Sequence, residues 1–432
     1  MTQKKGSILL DFSLLKENRN FRAVFCARMM SVLGLGMMTV AVPVQIHQLT
    51  GSTLQVGVAM ALDGLGMFIG LMIGGVLADR YDRRRQILLG RALCGIGFLA
   101  LAANAFLAAP SLLALYIISM WDGFFGAMGI TALMAATPIL VGRENLPAAG
   151  ALSMLTVRFG LVISPAIGGL VITAASGDTS WNYLLAGIGT LGTLIPLFTL
   201  PTLKPEGGEP EHPLRALADG FRFLFTHPII GAVVLLGTLQ TLLSAVRVLF
   251  PALATDVWGG NAGDVGLMYS AVPLGAALGA FTSGWVGRTP RPGMVMLGSV
   301  IASAAMMMVL GQVGHLLPGL FILVVLGYLS AISSLLQFTL VQTHTPDHLL
   351  GRINSLWTAQ DVVGDTIGTV LMGGVARLLM PVGAVAAYGG VIALAAATLG
   401  CCFGTLRKLG NTTPDIAEPN PTPEVASETA GS

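Results

Sequence analysis

The sequence predicts an all-α membrane protein with twelve transmembrane helices in two six-helix bundles. Of its 432 residues, 54% are hydrophobic and 10% are charged, whereas a soluble globular chain carries roughly 25% charged residues. The apolar runs are continuous over about 20 residues, the length that crosses a hydrocarbon core of about 30 Å. They lack the alternation of β-barrel strands. A glycine pattern that repeats between the two halves of the chain is the third observation.

Twelve runs are long enough to cross a membrane, and we number them spans 1 to 12. Because they are rich in Gly and Ala, each is predicted to be a helix that packs closely against its neighbours. The predicted ranges are 21–47, 54–78, 86–108, 112–140, 148–174, 181–203, 228–252, 265–286, 293–316, 319–343, 350–376 and 382–404.

The 23 Lys and Arg residues predict the orientation of these spans. If successive spans alternate in direction, the two termini and one set of loops hold 18 of them, while the loops on the other side hold Arg377 alone. Cytoplasmic loops of membrane proteins carry such an excess of positive charge. Both termini are therefore predicted to be cytoplasmic. No cleavage site for a secretory signal precedes span 1, so we expect the N-terminus to be retained.

A polar segment divides the spans six and six. Residues 1–20 are predicted to be a cytoplasmic segment, 21–203 the N-terminal bundle and 228–405 the C-terminal bundle. The linker, 204–227, begins rich in Pro and Gly and then shows the apolar spacing of an amphipathic helix on the membrane surface. The tail, 406–432, has the Pro, Thr and Glu content of a disordered segment.

Glycines repeat between the halves at an offset of 209 residues. The matched pairs are Gly51 with Gly260, Gly57 with Gly266, Gly66 with Gly275, Gly70 with Gly279, and Gly75 with Gly284. Five matches through one loop and one span indicate a duplication. Two parallel halves of this kind permit alternating access, with a binding site near the membrane midplane between them.

The loop between spans 2 and 3 concentrates charge, with two Asp and four Arg at 79–85. It resembles the signature loop of the major facilitator superfamily, although Asp82 replaces the usual glycine. The matching residues of this gating motif are Gly75, Asp79, Arg80, Arg83 and Arg84. The resemblance implies a latch in which Asp79 meets the positive N-terminal end of span 11, near Leu350, when the cytoplasmic side closes. The arginines also satisfy the positive-inside bias, which by itself leaves the two acids unexplained.

Span 5 contains a second resemblance, GLVISPAIGG at 160–169, to the antiporter motif of that superfamily. Gly160, Pro165, Gly168 and Gly169 are in register, and Ser164 replaces a glycine. Proline and small residues allow a bend and tight packing against the opposite half. Together with the loop, the motif implies an exporter with the major facilitator fold.

Seven charged residues lie well inside predicted spans, where an ionised side chain costs about 2.5–3.5 kcal/mol. They are Arg28 in span 1, Asp63 in span 2, Asp122 in span 4, Arg158 in span 5, Arg247 in span 7, and Asp361 and Asp365 in span 11. Spans 3, 6, 9 and 12 hold none at that depth, Arg91 being only about five residues into span 3 as predicted. In the superfamily those four helices are the outer ones, and spans 1, 4, 7 and 10 line the cavity.

Depth in the membrane predicts a pair. Asp122 and Arg158 each lie about ten residues from a helix end, at a depth of about 15 Å, and Asp63 is similarly deep. We expect Asp122 or Asp63 to carry a proton. Arg158 is expected to be its switchable ion-pair partner, paired with the acid in one state of the protein and not in the other. A purely structural ion pair between Asp122 and Arg158 is the alternative.

Other polar groups are candidates for substrate contacts. Arg28, Arg247 and Gln360 are predicted to bind polar groups of the substrate. Asp361 and Asp365 are one turn apart and share a helix face, so they are candidates for carrying a proton or binding the substrate. The alternative is a structural role, in which both are packed near Gln360 with their hydrogen bonds satisfied.

Phrases such as MFIGLMIGGVLADRYDRRR and QTHTPDHLLGRINSLWTAQD resemble the siderophore-secreting branch of the superfamily, and the similarity extends over 12–406. This implies export of a catecholate siderophore, enterobactin-like, from cytoplasm to periplasm across the inner membrane of a Gram-negative bacterium by proton antiport. A proton-coupled multidrug exporter is the alternative.

Other classes of protein fit the sequence less well. The chain has no phosphate-binding GxxxxGK[ST] loop, so nucleotide hydrolysis is not expected. An intramembrane aspartyl protease would need a glycine where Val362 stands. The four cysteines lie in apolar runs, and no His/Cys cluster predicts a metal. We therefore expect no enzyme activity, no cofactor and no nucleic-acid partner, and a monomer in the lipid bilayer.

Overall fold

The computed structural model describes residues 13–204, 228–345 and 347–404. All regular secondary structure in these ranges is helical, as predicted. The start of the chain, nearly all of the predicted linker and the predicted tail lie outside the described residues.

The N-terminal bundle contains spans 1 to 6, preceded by a short helix, Ser13–Glu17. The spans are Arg19–Thr50, Thr53–Arg80, Arg83–Ala105, Leu112–Val141, Leu146–Ala174, and a sixth made of Ser180–Gly192 and Leu194–Leu197.

The C-terminal bundle contains spans 7 to 12. Span 7 begins as Pro228–Ser244 and continues through the 3₁₀ turn Ala245–Leu249 and the short α-helix Phe250–Ala252 to the π-helical turn Leu253–Val257. Spans 8, 9 and 10 are Ala262–Thr282, Pro292–Leu310 and Leu316–His344, and spans 11 and 12 lie within Asp347–Cys402.

Ten helices of the described ranges are long and apolar enough to cross a membrane, because two spans differ from the simple prediction. Span 6 is interrupted at Thr193, where Pro196 has no N–H to donate to the carbonyl one turn earlier. Spans 11 and 12 are joined without a loop. Their boundary is Met380, whose φ of 61° and ψ of 160° break the helix immediately before Pro381. With these two corrections the order of twelve spans agrees with the sequence.

The predicted repeat is visible in the packing of matched glycines. Gly66 lies against the carbonyl of Met120 in span 4, and its counterpart Gly275 lies against the carbonyl of Val324 in span 10. Neither position has room for a Cβ atom. The next matched pair, Gly70 and Gly279, also contacts spans 4 and 10 respectively. Equivalent glycines thus bring spans 2 and 4, and spans 8 and 10, into close contact.

The two bundles meet through two pairs of helices. Span 2 packs against span 11, and span 5 packs against span 8. Gly57 of span 2 contacts Thr369 of span 11, and the matched Gly266 of span 8 contacts Pro165 of span 5. The loops at 81–82, 142–145 and 289–291 define one end of the molecule, which we call the arginine-rich end. The loops at 51–52, 106–111, 175–179 and 258–261 define the opposite end.

Candidate transport site

At the opposite end the bundles are joined by polar contacts. His47 Nε2 of span 1 lies 3.0 and 3.2 Å from the two carboxylate oxygens of Asp256, at the end of span 7. Thr173 Oγ1 accepts a hydrogen bond of 2.8 Å from the backbone N–H of Gly263. Thr53 Oγ1 donates to the carbonyl of Gly373 at 3.4 Å. Among the described residues, every hydrogen bond or ion pair between the bundles lies at this end.

A cavity of about 530 Å³ lies beside these contacts and opens at the opposite end. Its lining includes Val44, His47, Gln48, Thr173, Asp256 and Asn261. Since both bundles contribute to its walls, it marks the place where they would have to separate for a solute to leave by this end.

Side chains of the loop that holds the gating motif form their hydrogen bonds within the N-terminal bundle. Asp82 Oδ1 accepts hydrogen bonds from the backbone N–H groups of Arg84 and Leu203, at 3.0 and 2.9 Å. Asp82 therefore caps span 3 and fastens it to the chain that follows span 6. Arg83 donates to the carbonyls of Ala78 and Ala135, at 3.0 and 3.2 Å. Asp82, the second acid of the loop, thus has a structural explanation that the sequence did not supply.

Asp79 and Arg80 are exposed at the arginine-rich end. The side chains at 346–352, where the predicted partner of Asp79 begins, lie outside the described residues. The latch stays a prediction for the state in which the arginine-rich end is closed.

In the C-terminal bundle the predicted substrate group Arg247 forms an ion pair with Asp365, a predicted proton-coupling group. Ser244 Oγ donates to the same carboxylate at 2.8 Å. Tyr269 donates to the backbone carbonyl of Arg247 at 2.9 Å. The arginine and aspartate side chains are 36% and 24% exposed, so both remain accessible from the space between the bundles.

In the N-terminal bundle Asp122 has a different neighbour from the one predicted. Its backbone carbonyl lies 3.9 Å from Cys94 Sγ of span 3, and its carboxyl group interacts electrostatically with Arg91 of the same span. The guanidinium group of Arg91 donates to Ser31 Oγ of span 1. Among the described residues no hydrogen bond or ion pair joins Asp122 to Arg158, and the contact of Asp122 with span 3 is made by Cys94.

Arg158 nevertheless faces the other bundle. It is exposed and lies eleven residues before Gly169, which packs against Ala262 and Gly266 of span 8. Eleven residues turn an α-helix through about 1,100°, or about 20° beyond three full turns, so the two residues share a face. Arg158 is therefore on the side of span 5 that borders the space between the bundles, nearer the arginine-rich end.

Asp63 connects the two groups of charges. Gly123 packs against the carbonyl of Asp63, next to Asp122, and Gly64 packs against Thr366 of span 11, next to Asp365. The carboxyl group of Asp63 interacts electrostatically with Asp122 and, across the bundle boundary, with Arg247 and Asp365. The intramembrane charges thus form one row at middle depth, which we call the charge row.

The ends of the charge row are Arg28 and Asp361. Arg28 interacts electrostatically with Arg91, and Asp361 with Asp365. Gln360 Oε1 accepts a hydrogen bond of 3.2 Å from Gln337 of span 10, and a contact of Gln360 with substrate stays a prediction. The members of the charge row are Arg28, Arg91, Asp122, Asp63, Arg247, Asp365 and Asp361.

The antiporter motif packs span 5 against two helices. Gly160 lies against Val32 and Gly168 against Met37, both of span 1. Pro165 and Gly169 contact Gly266 in the opposite bundle, as predicted from the small residues. A role of these residues in coupling stays a prediction.

Sequence reasoning missed His47, Asp256 and Arg91. His47 and Asp256 lie near predicted span ends, where a polar residue is ordinary, so only the fold could pair them. Arg91 was placed too near a helix end, because span 3 begins at Arg83 and not at 86. The signal that could have found Arg91 was the capping residue Asp82 immediately before the first helical residue.

Solved structures with this fold confirm the architecture. The fold matches a nucleoside transporter, NupG, with a TM-score of 0.74 at 12% identity, over 90% of this chain and 99% of that one. It matches a POT family transporter in complex with 5-aminolevulinic acid with a TM-score of 0.71 at 13% identity, over 90% and 97% of the chains. A bacterial homologue of the human lysosomal transporter Spinster gives 0.68 at 15% identity, over 91% and 96%.

Similarity of sequence is greater to a set of bacterial exporters. The chain is 52% identical over 412 residues to the enterobactin exporter EntS of Shigella boydii, covering 95% of this chain and 98% of the relative. The enterobactin exporters of Escherichia coli O157:H7 and Escherichia fergusonii show the same identity and coverage. The sequence profile of the transmembrane secretion effector family matches residues 12–431. The chain is thus a multi-pass membrane transporter of the major facilitator superfamily and belongs to its transmembrane secretion effector family.

Proposed function

We propose that the protein exports a catecholate siderophore of the enterobactin kind from the cytoplasm to the periplasm. The observation that carries this proposal is the 52% identity to enterobactin exporters over 95% of this chain and 98% of theirs. Such coverage includes both bundles and every member of the charge row.

The arginine-rich end is the cytoplasmic end in this proposal, and the membrane is the bacterial inner membrane. Arg80, Arg143, Lys204 and Arg288 all lie at that end, and cytoplasmic loops carry such an excess. The contacts between His47 and Asp256 then close the periplasmic end. In this state the substrate would reach the charge row from the cytoplasm. A reporter fused after Lys204 that is active only in the cytoplasm tests this orientation.

Two arginines of the N-terminal bundle, Arg28 in span 1 and Arg158 in span 5, suit a catecholate. Arg158 borders the space between the bundles, and a guanidinium group can form paired hydrogen bonds to two adjacent catechol oxygens. It can also stack on the aromatic ring. We assign these two arginines to substrate recognition, and Arg247 to the pair that it forms with Asp365.

The charge row supports proton antiport, because it contains four aspartates and three arginines. At least one aspartate therefore has no arginine of its own to keep it ionised. Asp365 forms an ion pair with Arg247, and Asp122 has Cys94 and, at longer range, Arg91 of span 3 as neighbours. Among the described residues no hydrogen bond or ion pair engages the carboxyl group of Asp63. We therefore assign proton carriage to Asp63. An ionised carboxylate accepts hydrogen bonds from catechol hydroxyls through both oxygens, and a proton on it removes the charge and turns one oxygen into a donor. Substrate and proton would then compete for Asp63, which is what exchange requires.

Secretion by iron-starved cells tests both parts of the proposal. Cells that lack the protein should release several times less catecholate into the medium, and the wild-type gene should restore release. Asp63→Asn should not restore it. Asp178→Asn is the matched control, because this acid lies in a loop at the opposite end and the amide keeps the hydrogen-bond acceptor for Ser180 N–H. It should export as the wild type does.

Two outcomes would count against the proposal separately. Unchanged catecholate in the medium of the deletion strain would contradict the substrate, and normal export by Asp63→Asn would remove this residue from coupling. Drug susceptibility of the same strains separates the alternative, since broad hypersensitivity of the deletion strain with normal siderophore release would indicate a multidrug exporter.

A further inference from the structure

An aromatic pair joins spans 10 and 11 in the half of the C-terminal bundle nearer the arginine-rich end. The ring centroids of Phe338 and Trp357 lie 5.7 Å apart, with an angle of 42° between the ring planes. Beside the rings, Gln337 Nε2 of span 10 donates a hydrogen bond of 3.2 Å to Gln360 Oε1 of span 11. One aromatic and one polar contact therefore connect the same two helices at the same level.

Phe338 lies on the side of the C-terminal bundle that faces the other bundle. It is seven residues after Ala331, and because seven residues turn an α-helix through about 700°, the two side chains point in nearly the same direction. Ala331 packs against Gly279 of span 8, while the Phe338 ring packs against Trp357 of span 11. Spans 8 and 11 make the main contacts with the N-terminal bundle. Phe338 therefore lies between these two helices, and its side chain is 44% exposed there.

Trp357 lies between the arginine-rich end and the charge row. It is seven residues before Gly364, so it shares a helix face with this glycine, which packs against Thr241 of span 7. It is also eight residues, or about 12 Å, before Asp365 of the charge row. A solute that enters from the arginine-rich end would therefore meet the aromatic pair before it reaches the charge row.

The two amide groups beside the rings differ in how they are held. Gln337 is 3% exposed, and its amide group lies against Gly237 of span 7, where a Cβ atom would not fit. Gln360 Nε2 is shielded from solvent and has no hydrogen-bond partner among the described residues. A buried amide N–H group without an acceptor costs free energy. An oxygen atom of a bound solute would supply that acceptor next to the rings.

We propose that Phe338, Trp357 and Gln360 form an aromatic subsite that receives one catechol ring of the substrate. This inference rests on the proposed transport function and adds the residues that hold the ring. The catechol ring packs against the two aromatic side chains, and one of its oxygens accepts a hydrogen bond from Gln360 Nε2. These three side chains are uncharged, so the negative charge of a catecholate is left to the arginines of the opposite bundle, such as Arg158.

Binding and transport by the full-length purified protein test the aromatic subsite. The variants are Phe338→Leu and Trp357→Leu, which keep apolar bulk and remove a ring, together with Trp357→Phe and Gln360→Glu. Phe321→Leu is the matched control, because Phe321 is on the same span near the opposite end and is 70% exposed. Dissociation constants are measured for enterobactin and for ethidium, an aromatic probe without catechol oxygens. Uptake into proteoliposomes under an imposed pH gradient gives KM and the maximal rate, and thermal unfolding shows that each variant is folded.

The expected result separates a binding role from a structural contact. Phe338→Leu and Trp357→Leu should each weaken enterobactin binding about fivefold, the size of one aromatic contact. KM should rise in proportion, and the maximal rate should be unchanged. Trp357→Phe keeps a ring and should bind nearly as the wild type does. Gln360→Glu keeps an oxygen that accepts from Gln337 but loses the N–H donor, so it should weaken binding of enterobactin and not of ethidium. Phe321→Leu should match the wild type.

Each remaining outcome decides one of the two proposals. If the wild type binds enterobactin and both leucine variants bind it equally well, the aromatic subsite is overturned and the proposed function stands. A lower unfolding temperature with an unchanged dissociation constant would reduce the rings to a structural contact. If the wild type binds ethidium and not enterobactin, the proposed substrate fails, and the ethidium affinity of the leucine variants decides whether the rings hold an aromatic solute. Binding of neither probe would overturn both proposals.

Discussion

His47 Nε2 lies 3.0 Å from Asp256 Oδ2 and 3.2 Å from Asp256 Oδ1, and so joins span 1 of one bundle to the end of span 7 of the other. The imidazole ring is buried and the carboxylate is about half exposed. Thr255 Oγ1 donates to the same carboxylate at 2.7 Å. Because the bundles must part here before a solute can leave by this end, this contact has to break in each transport cycle. It is ionic only when the ring is protonated.

Asp256→Asn is therefore expected to weaken the closed state at the opposite end. A partly exposed ion pair contributes up to about 1 kcal/mol, which changes an equilibrium constant about fivefold. Val44→Cys reports the change, since Val44 lines the cavity one turn below His47 and is 4% exposed. Its labelling by a membrane-impermeant maleimide should quicken about fivefold in Asp256→Asn.

Gln48→Ala is the control for that experiment. Gln48 lines the same cavity but donates to the carbonyl of Gly177 within its own bundle, at 3.0 Å. Labelling of Val44→Cys should be unchanged in Gln48→Ala. An equal increase in the labelling rate of both variants would mean that the Asp256 carboxylate does not keep the opposite end closed.

Substitution of the two acids in the loop between spans 2 and 3 should change two different properties of the protein. Asp82→Ala removes the cap of span 3 and the bond to Leu203 N–H, so the free energy of unfolding should fall by about 1–2 kcal/mol. Asp79→Ala removes an exposed carboxylate and should leave the unfolding temperature unchanged while it lowers the transport rate. Thermal unfolding and proteoliposome transport, measured on the same preparations, check both. A stable, fully active Asp79→Ala protein would contradict the latch.

Neutralising one member of the Arg247–Asp365 pair should lower the unfolding temperature more than neutralising both. Arg247→Gln leaves the Asp365 carboxylate without its cation, and Asp365→Asn leaves the guanidinium group unpaired, so each should lower the unfolding temperature. The double variant should recover most of the loss. Ser244→Ala serves as the control, because it deletes one hydrogen bond of 2.8 Å and should cost only about 1 kcal/mol. Additive losses in the double variant would contradict the pairing.

The matched glycines should be equally intolerant of a methyl group. Gly66→Ala and Gly275→Ala each press a Cβ atom against a backbone carbonyl, and overpacking of this kind costs about 1–3 kcal/mol. Gly298→Ala in span 9 is the control, since a Cβ atom there meets nothing within 4 Å. Unfolding temperatures of the three variants check the prediction. A lower unfolding temperature for only one of the variants Gly66→Ala and Gly275→Ala would show that the two halves do not pack equivalently at these positions.

The charge row shows how far residue patterns predicted the site. Depth along each span predicted that Asp63, Asp122 and Arg158 lie at a similar level, because helical rise is regular. In the structure Asp63 and Asp122 are on adjacent helices, since Gly123 packs against the carbonyl of Asp63. Depth gave no information on rotation about the axis or on which helices are adjacent. It therefore paired Asp122 with Arg158, whereas the fold places Cys94 of span 3 beside Asp122. The partners Ser31 and Ser244 carried no signal, since a serine in an apolar helix is ordinary.

The sequence by itself determined the twelve spans, the division into two similar halves and the small residues at which helices touch. These properties depend on hydrophobic length, on loop charge and on the absence of a Cβ atom, all of which are local. Only the tertiary structure decided which charges meet and which end is closed. A pair such as His47 and Asp256 is separated by 209 residues, and it forms only after both bundles have packed and turned toward each other.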